Sequence, residues 1–293
     1  MKSLRLVGVP VDSVGRSGGT ENAPAALREL GLLEALGGDD TGDLEVRIRG
    51  EERDPATGIV ASADVLATTA TVRDGVAEIV GAGRRPFLVG GCCSEVPGAL
   101  AGARDALGRV GLAYLDGHMD LYDGDTSPTG EAADMPISVA LGLGPAAWVE
   151  AAGGASLAVE DTALVGHRDQ GESRTYGMTQ PEELGAGLIS LSVDELRAEG
   201  PAAVGARVAD AFASKPMWLH FDVDVLDEEV FPATDYLMPG GMSWEELVPA
   251  LAPLASSPSL VGFSLGCYNP DKDPDRACGR ALVETLGSAL QDS

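Results

Sequence analysis

Two short runs of ligand-type residues stand out in this sequence. Asp116, His118 and Asp120 form D-x-H-x-D, and Asp222 and Asp224 form D-x-D within HFDVDVLD. Carboxylates can bridge two cations and imidazole suits first-row metals, so the five together fit a pair of ions better than a general acid/base dyad. Either run alone carries little weight, because a D-x-D at a strand end also occurs as a solvated turn. A third segment, GGCCS, adds the soft donors Cys92 and Cys93.

Such residues act together only if the fold brings them together. Short apolar or β-branched runs recur between Ala/Gly-rich helical stretches: LRLVGVP from Leu4, FLVGG from Phe87, GLAYLD from Gly111, ALVGH from Ala163, LISLS from Leu188, MWLHFD from Met217 and LVGFSLG from Leu260. That alternation predicts an α/β fold with a mostly parallel sheet and crossover helices. Residues 23–36, with Pro24 near the start and leucines at helical spacing, predict the first helix. Residues 142–158 read as helix and loop rather than linker, and no repeat is present, so residues 1–293 are expected to form a single domain. The polar candidates fall where these strands end. Cys92 and Cys93 follow FLVGG, Asp116 closes GLAYLD, Asp222 closes MWLHFD and Cys267 follows GFSLG. In open parallel sheets ligands bind beyond the carboxyl edge, so segments distant in sequence would converge on one crevice.

Composition narrows the partners. The chain has 46 acidic and 20 basic residues and a formal charge of −26, which repels phosphate backbones and anionic membranes. No nucleic-acid or membrane role is expected, and no stretch reaches membrane-spanning length. With 44% hydrophobic but only 4% aromatic residues, the core must be built mainly from Ala, Val and Leu. The opening MKSLRLVGVPVDSVG reads as a first strand rather than a signal peptide. Four cysteines without a secretory signal suggest packing or metal ligation in a cytoplasmic protein rather than disulfides.

Beyond these features, DGHMD and FDVDVLDEEVFPAT, followed by MPGGMSWEEL, resemble the two central signatures of the arginase and agmatinase (ureohydrolase) family. The resemblance extends to VGRSGGTENAPAALRELGLLEAL, GGCCSEVPGAL, VGHRDQGE and CYNPDKDPDRACGRAL, in family order over nearly the whole chain. It implies an eight-stranded, mainly parallel sheet flanked by helices. It also implies two manganese ions, with Asp116 and Asp222 bridging, His118 and Asp224 completing one and Asp120 the other. The second ion normally also takes a histidine from GGDHS; here Cys93 occupies that position and Cys92 replaces the preceding Asp. A lone Cys is usually buried and inert, but this position favours thiolate ligation, which would admit Zn2+ or Fe2+ more readily. Four aspartates and one thiolate then set −5 against +4 from two divalent ions, a weaker Lewis acid than the histidine version.

Two further departures bear on chemistry. Where the family has a proton-shuttling histidine, this chain reads GEAADMP and places Ala133; Glu131 or Asp134 could substitute, or could be plain loop carboxylates. Where the family clamps a guanidinium with glutamate, Cys267 stands before Tyr268, Asn269 and Pro270. His167, Arg168 and Glu172 lie where the family contacts the distal part of its substrate, with Glu172 placed to meet an amino group or to serve in an ordinary loop ion pair. His220, inside a strand, reads as a satisfied structural histidine. The resulting expectation is a hydrolase acting on a C–N bond of a guanidine, amidine, hydroxyguanidine or linear amide through a metal-bridging hydroxide aimed by Asp120. Glu131 or solvent returns a proton, and Cys267 and Asn269 lie against a small, cationic or amidine-like substrate. Ordinary arginase activity is doubtful on this reading. The alternatives are a non-catalytic metal-binding component and a deacylase-type amide hydrolase, and on any of these readings the chain is free to form homo-oligomers.

Overall fold

The computed structural model of the chain describes residues 3–291. Eight strands form one sheet: β1 (Leu4–Val9), β2 (Asp39–Asp43), β3 (Arg85–Gly90), β4 (Gly111–Leu115), β5 (Thr162–His167), β6 (Ile189–Ser192), β7 (Met217–Asp222) and β8 (Leu260–Gly266). Their spatial order is β2-β1-β3-β8-β7-β4-β5-β6, and every pairing is parallel. Parallel strands need crossovers, and helices between them cover both faces.

Alternation along the strands sorts the core into two layers. Phe87, Val89, Leu219, Phe221, Phe263 and Leu265 pack on one face, where Phe87 and Phe263 stack with centroids 4.7 Å apart. Leu88, Leu112, Tyr114 and Trp218 pack on the other, under the helices Ser62–Gly81 and Val96–Leu107. In the first of these helices Val65, Thr69, Val72, Val76 and Val80 recur at helical spacing and are buried. Its neighbour approaches closely because Gly98 has no side chain; a Cβ there would lie 2.7 Å from the Thr69 carbonyl oxygen.

One local expectation is corrected. The predicted helix over residues 23–36 is two helices, Ala23–Glu29 and Leu32–Leu36, separated where Gly31 adopts φ 85°. Strand β2 has no apolar signal at all: its sequence is DDTGD and every residue is exposed. It is an edge strand held by pairing to β1 and by Arg28, which bonds both Asp40 and Asp43.

Candidate metal centre

Strand order explains how distant residues meet. β3, β8, β7 and β4 are consecutive neighbours, so the turn bearing Cys93, the residue Cys267 after β8, Asp222 at the end of β7 and Asp116 after β4 emerge side by side. Two overlapping donor groups result, each with ligand atoms within 4.8 Å of one another: Cys93, Asp116, His220 and Asp222, and Asp116, His118 and Asp224. Cys93 Sγ lies 2.7 Å from Asp222 Oδ2 and 3.7 Å from Asp116 Oδ2. His118 Nδ1 lies 3.0 Å from Asp224 Oδ2 and 3.6 Å from Asp116 Oδ1. Backbone N–H groups orient the carboxylates: His118 N–H donates to Asp116 at 2.7 Å, Asp224 N–H to Asp222 at 2.8 Å and Gly117 N–H to Asp224 at 3.0 Å.

Asp116 belongs to both groups, as a bridging ligand should, whereas Asp222 belongs to one. Asp120 belongs to neither: its backbone is left-handed, φ 50°, and its carboxylate accepts a hydrogen bond from the buried Tyr114 hydroxyl. His220 is the unexpected member. Its Nδ1 is satisfied by Ser264 Oγ at 2.7 Å, as a structural histidine's would be, but its Nε2 lies 3.3 Å from Cys93 Sγ.

The electrostatics suit divalent cations. Burial, with the charge of Asp224 next, pushes the Asp116 carboxyl up to about 6. Burial and the neighbouring aspartates push Asp120 and Asp222 well above the ordinary range. Burial likewise raises the Cys93 thiol. Burial would lower His118, yet Asp224 and Asp116 outweigh it and hold the imidazole well above its usual value. Buried acids that resist ionisation beside one another ionise when a cation supplies the missing charge, so oxygen, imidazole and thiol donors in this arrangement fit a pair of divalent ions.

A cleft opens over the centre. Ten carboxylate residues line it and no lysine or arginine does, a wall that favours cations. Glu131 reaches it and accepts a hydrogen bond from the Tyr236 hydroxyl at 2.5 Å; burial raises its pKa. Asp134 is also in the wall but is held by Ser127 and Thr129, at 2.5 and 2.6 Å, and Ala133 lies beside it. Glu172 is on the exposed rim. Cys267 faces the cleft with a left-handed backbone, φ 65°, and its Sγ is 3.7 Å from Cys93 Sγ. Two of the four non-glycine residues with positive φ among the described residues thus sit in this wall, where strained backbone often serves function.

Other expected contacts do not reach the cleft. Asn269 is fully buried behind it: its amide donates to the Gly18 carbonyl at 3.0 Å and Asp235 at 2.8 Å, and its oxygen accepts from Asp271 N–H at 3.1 Å. Those bonds tie its side chain to the wall behind the cleft. Arg168 donates to the carbonyls of Asp224 and Met238, both at 2.8 Å, tying down the loop after β7. His167 is buried between Ser190 and Gln170 and opens onto a different depression. Residues that sequence reasoning passed over include Asp12 and Asp169, both buried in the wall, and the tyrosines 114 and 236.

A parallel α/β sheet carrying two overlapping groups of buried carboxylate, imidazole and thiol donors beneath an acidic cleft defines a binuclear metallohydrolase architecture. The arginase family profile matches residues 2–290, and the chain belongs to that family. It is 29% identical to an arginase of Brevibacillus brevis, over 99% of this chain and 98% of that one. The solved arginase of Bacillus caldovelox superposes with a TM-score of 0.90 at 25% identity, over 100% and 99% of the two chains. Proclavaminate amidino hydrolase of Streptomyces clavuligerus shares the fold, with a TM-score of 0.72 at 17% identity over 99% and 90%. Family membership implies a binuclear metal site and makes the chain a metal-dependent hydrolase of non-peptide C–N bonds. Among the described residues no helix is long and apolar enough to cross a membrane.

Proposed function

We propose that the chain hydrolyses a C–N bond in a weakly basic guanidine, an N-hydroxyguanidine above all, and turns over arginine and agmatine poorly. The observation that carries this reading is Cys267, a thiol facing the cleft beside Cys93 where the resemblance called for a clamping carboxylate. A guanidinium prefers a charged, bidentate acceptor, whereas N-hydroxylation lowers basicity and relaxes that need. The remaining cleft carboxylates keep the site attractive to a cationic group elsewhere on the substrate, with Glu172 at the rim placed for an amino group.

Cys93, Asp116, His118, Asp120, Asp222 and Asp224 would hold two divalent ions, Mn2+ in the first place and Zn2+ or Fe2+ as alternatives suited to the thiolate. When bound, the ions supply Lewis acidity and neutralise the clustered carboxylates. The protein supplies the rest. Asp120, fixed by the Tyr114 hydroxyl, accepts a hydrogen bond from the attacking water and aims it. Glu131, whose burial favours the protonated acid and whose carboxyl is steadied by Tyr236, delivers a proton to the leaving nitrogen in place of the missing histidine.

The test is a product assay. Protein reconstituted with manganese is incubated with L-arginine, agmatine, an N-hydroxyguanidino amino acid and an acyl-lysine analogue. Hydroxyurea release from the hydroxyguanidine is expected. Absence of any metal-dependent product would overturn the enzymatic reading in favour of a metal-binding component, and carboxylate release from the acyl-lysine would replace it with deacylation.

A further inference from the structure

His220 stands next to the donor sulfur of Cys93 without a role in the chemistry described so far. Its surroundings set its orientation. In the sheet register Tyr114, His220 and Ser264 lie in one row across β4, β7 and β8. The Tyr114 ring stacks on the imidazole, centroids 4.8 Å apart and planes 16° from parallel, so the ring plane is fixed. In the plane, Nδ1 meets Ser264 Oγ at 2.7 Å, and Nε2 meets Cys93 Sγ at 3.3 Å.

The direction of these hydrogen bonds follows from the group at the far end. Trp218 Nε1–H donates to Ser264 Oγ at 2.9 Å, and an indole nitrogen can only donate. Ser264 therefore accepts there, and among the described residues its own proton has one remaining polar partner, His220 Nδ1. A neutral imidazole that accepts at Nδ1 carries its proton on Nε2. The ring is fully buried. Nε2–H then points at Cys93.

We propose that His220 is a positioning residue that donates a hydrogen bond to the Cys93 thiolate, the last link of a Trp218–Ser264–His220–Cys93 chain, and is not itself a metal ligand. The inference rests on the reading of Cys93 as a thiolate ligand. An anionic sulfur buried among carboxylates needs a donor, and its other close neighbours are poor ones. Asp222 at 2.7 Å and Asp116 at 3.7 Å are acceptors, and the Cys267 thiol at 3.7 Å is farther and weaker. A metal-bound histidine usually leans on a second partner through its free ring nitrogen; when the ligand is a thiolate, the equivalent support must be a donor aimed at sulfur.

The test uses the Co2+-loaded full-length protein, in which thiolate ligation produces a sulfur-to-cobalt charge-transfer band. Withdrawing a hydrogen bond raises the sulfur donor level, so His220→Phe should move that band to longer wavelength while two ions still bind at saturation. Affinity for one ion should fall by about 10- to 100-fold, the usual range for loss of a supporting partner. Ser264→Ala, which frees the tautomer without touching the imidazole, should shift the band the same way. His220→Gln, which keeps an N–H near the sulfur, should restore part of the wild-type position, and Ser264→Ala and His220→Gln carry the test if His220→Phe does not fold. An unmoved band in folded His220→Phe and Ser264→Ala would overturn the proposal. So would loss of one cobalt at saturation in His220→Phe, which would make His220 a ligand. A wild-type cobalt protein with no thiolate band would instead refute Cys93 ligation itself, a distinct failure.

Discussion

Replacing Cys267 by glutamate should convert a poor arginine hydrolase into a better one. The position tolerates the change: Cys267 already pays for a left-handed backbone at φ 65° with a Cβ in place, so a second Cβ-bearing residue adds no new backbone strain. The side chain faces the cleft and is only partly buried, leaving the longer glutamate a direction in which to extend. Its sulfur lies beside Cys93, 3.7 Å away, so a carboxylate two bonds farther out would stand over the metal centre, where a guanidinium must be held for attack. Deleting one partner of a buried, charged hydrogen-bonded pair costs about 2 to 5 kcal/mol, which corresponds to roughly 30-fold to several thousand-fold. Restoring the pair should recover a large part of that factor in kcat/KM for L-arginine. The gain is smaller for an N-hydroxyguanidine, which needs the clamp less. Urea and hydroxyurea release, measured for both proteins on both substrates, decide the matter. If wild-type protein hydrolysed arginine as efficiently as the hydroxyguanidine, the reasoning from Cys267 would be wrong. A folded Cys267→Glu protein with two ions and no gain on arginine would refute it equally.

Three more outcomes are expected. Cys93→Ala should bind one ion where wild type binds two after manganese reconstitution, and equal metal content by elemental analysis would remove Cys93 from the ligand set. His167→Gln should make the fold more acid-resistant. Burial lowers the His167 pKa to about 4 from an ordinary 6.5, so the unfolded chain takes up the proton first, and stability present above pH 6.5 is lost as pH falls toward 4. The loss removed by the substitution is about 3 kcal/mol, read as a flatter dependence of urea midpoint on pH; an unchanged slope counts against it. Glu95→Met should raise the urea midpoint, because Glu95 is fully buried with neither carboxyl oxygen hydrogen-bonded. Removing such a group should gain about 1 to 3 kcal/mol, and a destabilised variant would show that the carboxyl has a partner.

Much of the fold was legible because its signals are local and repetitive. Seven of the eight strands carry apolar runs, and their alternation with helical stretches implies a parallel sheet. β2 escaped because an exposed edge strand of sequence DDTGD has nothing to bury; only pairing and the Arg28 contacts define it. The break at Gly31, where the backbone is left-handed, is not legible because one glycine inside a helical pattern does not announce such a turn. The candidate ligands were legible as well, since strand ends are visible in sequence and a parallel sheet brings them to one edge. What depended on strand order was not. Asp12 and Asp169 reach the cleft from loops that the apolar pattern does not orient, and the Tyr114 contact with Asp120 requires the actual loop path after β4.

His220 differs from those cases, because its placement was available from periodicity alone. Successive strand residues point to opposite faces, so residues two apart share one. If Asp222 points toward the metal edge, His220 is on the same face one step deeper, and the sulfur of Cys93 descends toward it from the neighbouring turn. An ordinary core histidine needs its ring nitrogens satisfied, and one of them is, by Ser264, while the second meets the Cys93 sulfur. In this centre the loop position that the family fills with histidine holds a sulfur, and an imidazole stands instead on the strand beneath it, 3.3 Å away. A thiol backed by a histidine thus stands at the position for which the resemblance implies a histidine ligand. With polarity reversed, the supporting group has to donate where it formerly accepted, and the indole of Trp218 sets that direction from two residues farther down the same strand face.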